Sequence, residues 1–144
     1  MRIERKLFFV ADIFLRDEAI DAESVRMLSV LKKDLELWLI VDSSRDLFEK
    51  MPDSGSLLKW FHKTVYLNEH GLNYGTPELF NFLINEAGAP QEQCLILDSN
   101  LKHAVLALKH RLPAAVIIDS CRLEREFLLR QLSAQPYVMH VRPA

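Results

Sequence analysis

Lys6-Leu-Phe-Phe-Val-Ala-Asp12-Ile-Phe-Leu15 is an apolar run carrying one carboxylate, and the charged turn Arg16-Asp-Glu18 comes directly after it. An apolar run of this length bounded by charge has the texture of a strand buried on both faces. In open parallel sheets, ligands gather at the carboxyl ends of the strands, so Asp12 is the first candidate for chemistry. The rest of the chain decides whether such a sheet exists and whether Asp12 has partners.

Working outward, the same theme recurs. Leu35 to Val41 is a second apolar run, closing on Asp42-Ser43-Ser44. Thr64 to Leu67 is a third, short and rich in β-branched and aromatic residues. It leads into the polar loop Asn68 to Gly75, whose two glycines make it a candidate site rim. Cys94-Leu-Ile-Leu-Asp98 is a fourth run, ending in Asp98-Ser99-Asn100, and Ala114 to Asp119 is a fifth.

Helical texture fills the intervals. Asp21 serves as N-cap for a helix from Ala22 to Lys33, where Val25, Leu28 and Leu31 recur at helical spacing. Arg45 to Met51 and Leu57 to Lys63 suit short helices on either side of Pro52-Asp-Ser-Gly55, with Trp60 and Phe61 as core residues. Thr76-Pro77-Glu78 is a helix start by composition: a hydroxyl cap, a proline whose missing N–H does no harm at the first position, and an acid favoured by the dipole. That helix runs to Gly88, which suits a left-handed cap. Further helices are expected from Leu101 to His110 and from Arg122 to Leu132. The tail, residues 133–144, contains one candidate extra strand at Tyr137 to Val141.

Strands alternating with helices imply a parallel sheet covered on both faces, because each parallel connection needs a crossover. The expectation is a single three-layer α/β/α domain over residues 1–144 with a five-stranded sheet. With 144 residues, 49% apolar and 26% charged, the chain can bury a core without disulfide or metal staples. A formal charge of -2 provides no field for nucleic acid. Cys94 and Cys121 lack metal-ligand spacing and read as inert buried thiols. Asp12 and the charged turn interrupt the only leader-like stretch, and no apolar run approaches the roughly 20 residues of a membrane span. The location expected from these features is cytoplasmic.

Four of the five strands end in Asp12, Asp42, Asp98 and Asp119, and a parallel sheet brings such ends to one edge. With Ser43, Ser44, Ser99 and Asn100 they form a set of hard oxygen donors that suits Mg²⁺. Asp and Asn also punctuate strand ends merely because they favour turns and caps, and that explanation covers Asp119-Ser120. The histidines, including His103 and His110, read as surface residues without a carboxylate at an orienting spacing.

The order of these features resembles the haloacid dehalogenase-like (HAD) superfamily of phosphatases, dehalogenases and related phosphotransferases, most closely in Gly75-Thr-Pro-Glu-Leu-Phe80, Leu97-Asp-Ser99 and Val116-Ile-Ile118. The resemblance implies a Rossmann-like sheet of spatial order 5-4-1-2-3, an Asp nucleophile and Mg²⁺ held by Asp12 and Asp98. It assigns phosphate binding to Ser43, Ser44 or Thr76. The family's first motif is Asp-x-Asp, and here only Asp12 is available. If Asp12 is the nucleophile, Phe14 stands at the acid/base position; if Asp12 is the acid/base, Val10 stands at the nucleophile position. Thr76 replaces the lysine that normally precedes the proline; Lys63 and Lys102 are the candidate substitutes, but both read as solvated surface residues. A second acid after Asp98 and a glycine near His110-Arg111 are also missing.

Neither interval, from Asp12 to Asp42 or from Ser44 to Gly75, has room for a cap domain. A capless site implies a protein partner or self-association. Two functional expectations result: a degraded HAD-like domain acting as a binding, regulatory or assembly module, and a divergent Mg²⁺-dependent phosphohydrolase working through Asp12 and Asp98.

Overall fold

A computed structural model describes residues 6–16, 19–20, 25, 28–29, 35–117 and 140–141. The apolar run splits where its pairing ends. Strand β1 is Lys6–Val10, succeeded by a 3-10 turn over Ala11–Phe14 and by a small antiparallel hairpin of β2 (Leu15–Arg16) and β3 (Ala19–Ile20). The expected single strand from Lys6 to Leu15 is therefore corrected. β1 has parallel partners only as far as Val10, and beyond that point the chain turns over the sheet edge.

β1 is central. It pairs with β4 (Glu36–Val41) on one side, Lys6 opposite Glu36, and with β6 (Cys94–Asp98) on the other, Lys6 opposite Cys94. Beyond β4 lies β5 (Lys63–Tyr66), and these four strands take the order third, second, first, fourth along the chain. Beyond β6 come β7 (Ala114–Ile117) and then β8 (His140–Val141), which pairs parallel with β7. The described sheet has six strands: the five expected lie in the expected order, and the sixth, His140–Val141, falls within the stretch Tyr137 to Val141 expected as a candidate extra strand. Asp119, Cys121 and the expected helix Arg122 to Leu132 lie outside the described residues.

All five residues of β1 are buried, and its period-two alternation supplies two cores. Leu7 and Phe9 join Leu37, Leu39, Phe14, Phe48, Leu57 and Phe61 on one face. Phe8 joins Trp38, Ile40, Val65, Leu79, Phe80 and Leu83 on the other. Phe9, Phe14 and Phe61 close a ring of aromatic contacts with centroids 5.4 to 6.0 Å apart, which is the packing role expected for Phe61. Val25, Leu28 and Ser29 are helical, and Val25 and Leu28 are buried on the Phe9 face. The remainder of the interval expected as Ala22 to Lys33 lies outside the described residues.

Helix α1 is Arg45–Glu49, α2 is Ser54–Leu58, α3 is Pro77–Ala87 and α4 is Leu101–Lys109. The helix expected over Leu57 to Lys63 is shifted toward the N-terminus. His62 N–H donates to the Leu37 carbonyl at 2.7 Å and Lys63 already lies opposite Trp38, so the last residues are claimed by the sheet. α3 begins as its composition dictates, with the Thr76 hydroxyl accepting from Leu79 N–H at 3.3 Å, and it ends at Gly88 with φ 62°.

Candidate functional site at the strand ends

The carboxyl ends of β1, β4 and β6 deliver Asp12, Asp42 and Asp98 to one edge of the sheet. The three carboxylates do not share one environment. Asp12 and Asp42 are exposed, whereas Asp98 is buried at 4% exposure.

Around Asp98 the chain builds a closed assembly. Asn100 caps α4, its side-chain oxygen accepting from His103 N–H at 3.3 Å, which places His103 in the first turn. The imidazole reaches back so that Nδ1 lies 3.4 Å from Asp98 Oδ2, while Asn100 N–H donates to Asp98 Oδ1 at 3.0 Å. The imidazole also stacks on Tyr74, with ring centroids 5.9 Å apart and planes 30° from parallel. Tyr74 in turn donates its hydroxyl to the Ile40 carbonyl at 2.9 Å, tying the loop to the end of β4. Gly75, at φ 67°, permits this approach: a Cβ there would lie 2.5 Å from His103 Cδ2.

The electrostatics reflect that packing. Burial raises the Asp98 carboxyl above its usual range, opposed by the Asn100 and Ser99 amides and by His103. Burial also raises Asp12, with the nearby Asp42 charge acting in the same sense and His103 in the opposite one. Tyr74 is pushed far up, first by burial and then by the charges of Asp12, Asp42 and Asp98, so its phenol stays protonated and available as a donor.

Beside Asp12 lies a cleft of about 600 Å³ lined by Ala11, Leu15, Val41, Leu47, Phe48 and Met51, with Asp12, Asp42 and Ser43 as its polar groups. Val10, buried at 1% exposure, ends β1 and is not part of this lining. The other expected phosphate ligands have structural employment. Ser44 caps α1 by accepting from Leu47 N–H at 3.2 Å, and the Thr76 hydroxyl, besides capping α3, donates to the Asn73 carbonyl at 2.8 Å. Of the stand-in lysines, Lys63 begins β5 at the opposite end of the strands and pairs with Glu86 at 2.9 Å, which removes it from the site. Lys102 is exposed on the first turn of α4. Arg45, next to the two serines, is held by Glu69 through two hydrogen bonds of 2.8 and 2.9 Å.

His103 is therefore corrected from a surface histidine to a partner of Asp98. The signal was present in Asp98-Ser-Asn100-Leu-Lys-His103, where an asparagine cap fixes the helix start and aims the third residue of the helix back at the strand end. Tyr74 carried no comparable local signal, since its hydrogen bond spans 34 residues. Near His110, the position expected to hold glycine is taken by Arg111 at φ 62°, so the left-handed turn is present without its usual residue.

No family model matches the chain, and no curated protein does. Solved structures do. A chain described as a predicted HAD-like family hydrolase from Porphyromonas gingivalis superposes with a TM-score of 0.70 at 14% identity, covering 92% of this chain and 100% of that one. The chain has the HAD-like fold. L-2-haloacid dehalogenase from Xanthobacter autotrophicus, solved with chloropropionic acid covalently bound, shares that HAD fold with a TM-score of 0.60 and 16% identity. So does a protein described as a HAD-hydrolase from Bacillus subtilis bound to magnesium, with a TM-score of 0.63 and 16% identity. The matches cover 80% of this chain in both cases, and 45% and 57% of those proteins.

One HAD-fold structure is thus described with magnesium, and the donors here can be tested against that ion. Both Asp98 oxygens face nitrogen groups, Asn100 N–H and His103. Among the described residues, no group of three or more His, Cys, Asp or Glu side chains is placed to hold a metal. Asp12 and Asp98, the expected Mg²⁺ ligands, both reach this edge, Asp12 exposed and Asp98 buried with the Asn100 N–H on one oxygen. Among the described residues, no helix is long and apolar enough to cross a membrane.

Proposed function

We propose that this HAD-fold domain acts as a binding, regulatory or assembly module and carries out no phosphoryl transfer. The observation that supports this most strongly is the lining of the cleft at the strand ends: two carboxylates and no lysine or arginine among the described residues. Phosphoryl transfer concentrates negative charge on the transferred group, and cations or oriented donors normally stabilise it. Here an entering phosphate meets Asp12 and Asp42, and the Asp12 carboxyl is already raised, first by burial and then by the Asp42 charge. Asp12 stands two residues beyond the Val10 end of β1, the spacing of the second acid in an Asp-x-Asp pair, which supports the register with Val10 at the nucleophile position even though it is Asp12 and not Val10 that lines the cleft. A valine there cannot form a covalent intermediate.

The alternative, a divergent phosphohydrolase using Asp12 and Asp98, draws on one specific observation. Asp12 and Ser43 line the same cleft, so a carboxylate and a hydroxyl are both open to a ligand. An aryl phosphatase assay with Mg²⁺ on the full chain and on Asp12→Asn separates the two. The expected result is no turnover above background in either protein; turnover that disappears in Asp12→Asn overturns the proposal.

A further inference from the structure

We propose, resting on the binding-module reading, that the cleft beside Asp12 and Asp42 docks a protein partner through a short segment combining an arginine with an apolar side chain.

The cleft has two kinds of surface in contact. Leu15, Val41, Leu47, Phe48 and Met51 provide an apolar wall, and Leu47 is 66% exposed although it belongs to a helix whose Phe48 is fully packed. Leu47 is the most exposed of the large apolar residues among those described, and it is part of the pocket lining. Asp12 and Asp42 supply the polar edge, and among the described residues no basic side chain lines the cleft to neutralise them. An apolar ligand alone would cover Leu47 while stripping water from two carboxylates without replacing the lost hydrogen bonds. An anion would be repelled. A cationic group attached to an apolar one satisfies both surfaces.

Arginine suits the site better than lysine, because a planar guanidinium presents several donors at once and tolerates partial desolvation. The volume, about 600 Å³, holds one or two side chains and the backbone between them, within the range of ordinary ligand pockets. The charge crowding supplies a physical reason for affinity. Asp42 destabilises the charged form of Asp12, and a bound cation removes that penalty. Among the described residues, His103, whose charge acts on Asp12, and Tyr74, which feels the charges of Asp12, Asp42 and Asp98, are the other titratable groups at this edge.

Fluorescence anisotropy on the full chain tests the proposal with a labelled peptide of alternating leucine and arginine. Control peptides carry neutral citrulline for arginine, or serine for leucine. The expected result is saturable binding by the leucine-arginine peptide, weakened about tenfold or more by either peptide change, by Asp12→Asn with Asp42→Asn, and by Leu47→Ser. All three positions are exposed, so the variants should keep the parent's circular dichroism and melting transition. Absence of saturable binding, equal binding of the citrulline peptide, or binding unaffected by the variants overturns the inference. Sedimentation showing a dimer that Leu47→Ser dissociates overturns it too, by assigning the cleft to a second copy. Failure of peptide binding with a silent phosphatase assay removes only this occupant. Turnover lost in Asp12→Asn removes the binding-module reading itself.

Discussion

The ends of β1 and β6 begin from the same sequence theme, an apolar strand closing on an aspartate, and reach opposite outcomes. Asp98 is buried against Asn100 N–H and His103, with Tyr74 stacked behind the imidazole. Asp12 is exposed, lines an open cleft and faces another carboxylate. The difference lies in the segment that leaves each strand. After β6, an asparagine cap starts a nine-residue helix whose first turn returns a side chain to the carboxylate. After β1, a 3-10 turn without a side-chain cap carries the chain away into a hairpin. One end is built into the fold, and the other stays open to solvent.

The largest effect on this contrast should come from Gly75→Ala. A methyl group there meets the His103 ring at 2.5 Å on a backbone at φ 67°, so both the ring and the backbone must shift. Chemical denaturation should show a loss of roughly 2 kcal/mol or more. A loss indistinguishable from zero would mean that the Asp98 end is not the rigid one.

Asp98→Ala comes next, because it leaves the Asn100 N–H without its acceptor and His103 without its partner. The expected cost is about 1–3 kcal/mol, with Asp98→Asn costing less because an acceptor oxygen remains. A pH series sharpens the test. Folding raises the Asp98 carboxyl, so the folded state holds that proton more tightly than the unfolded chain does. The contribution of this group to stability is therefore full below the unfolded value of about 3.9 and is lost as pH rises through the folded value. Stability of the parent relative to Asp98→Asn should fall across that window and then level off. A parent that gains on Asp98→Asn with rising pH would reverse the sign of the assigned shift.

Asp12→Asn should affect stability least, by no more than about 0.5 kcal/mol in either direction, because the side chain is exposed and solvent screens its repulsion with Asp42. Thermal melts of the two asparagine variants, compared at neutral pH, measure the asymmetry directly. Equal effects at the two positions would erase the distinction between a structural and an open carboxylate.

Much of this architecture was legible because it is written in local chemistry. The Thr76-Pro77 start and the Gly88 end of α3, the run Cys94–Asp98, and the position of β4 each depend on residues within a few places of one another. The apolar run after Val10 was harder to divide, since Ile13 and Phe14 are as buried as the strand itself and only the loss of sheet partners marks its end. At the site, the placement of the aspartates came from topology. Their chemistry did not, because it depends on Tyr74 reaching the Ile40 carbonyl and on Gly75 admitting the His103 ring, contacts between segments distant in sequence. The lysines follow the expectation of surface residues: Lys63 begins β5 at the far end of the strands and pairs with Glu86, and Lys102 is exposed.

The most direct test of an open, cation-seeking β1 end against a phosphate site is the carboxyl carbon resonance of Asp12, assigned through loss of its signal in Asp12→Asn. It should be monitored during addition of inorganic phosphate with Mg²⁺ and, separately, of the leucine-arginine peptide. The predicted result is a saturable shift with the peptide and none with phosphate and Mg²⁺; a saturable shift with phosphate and Mg²⁺, and none with the peptide, would contradict the account.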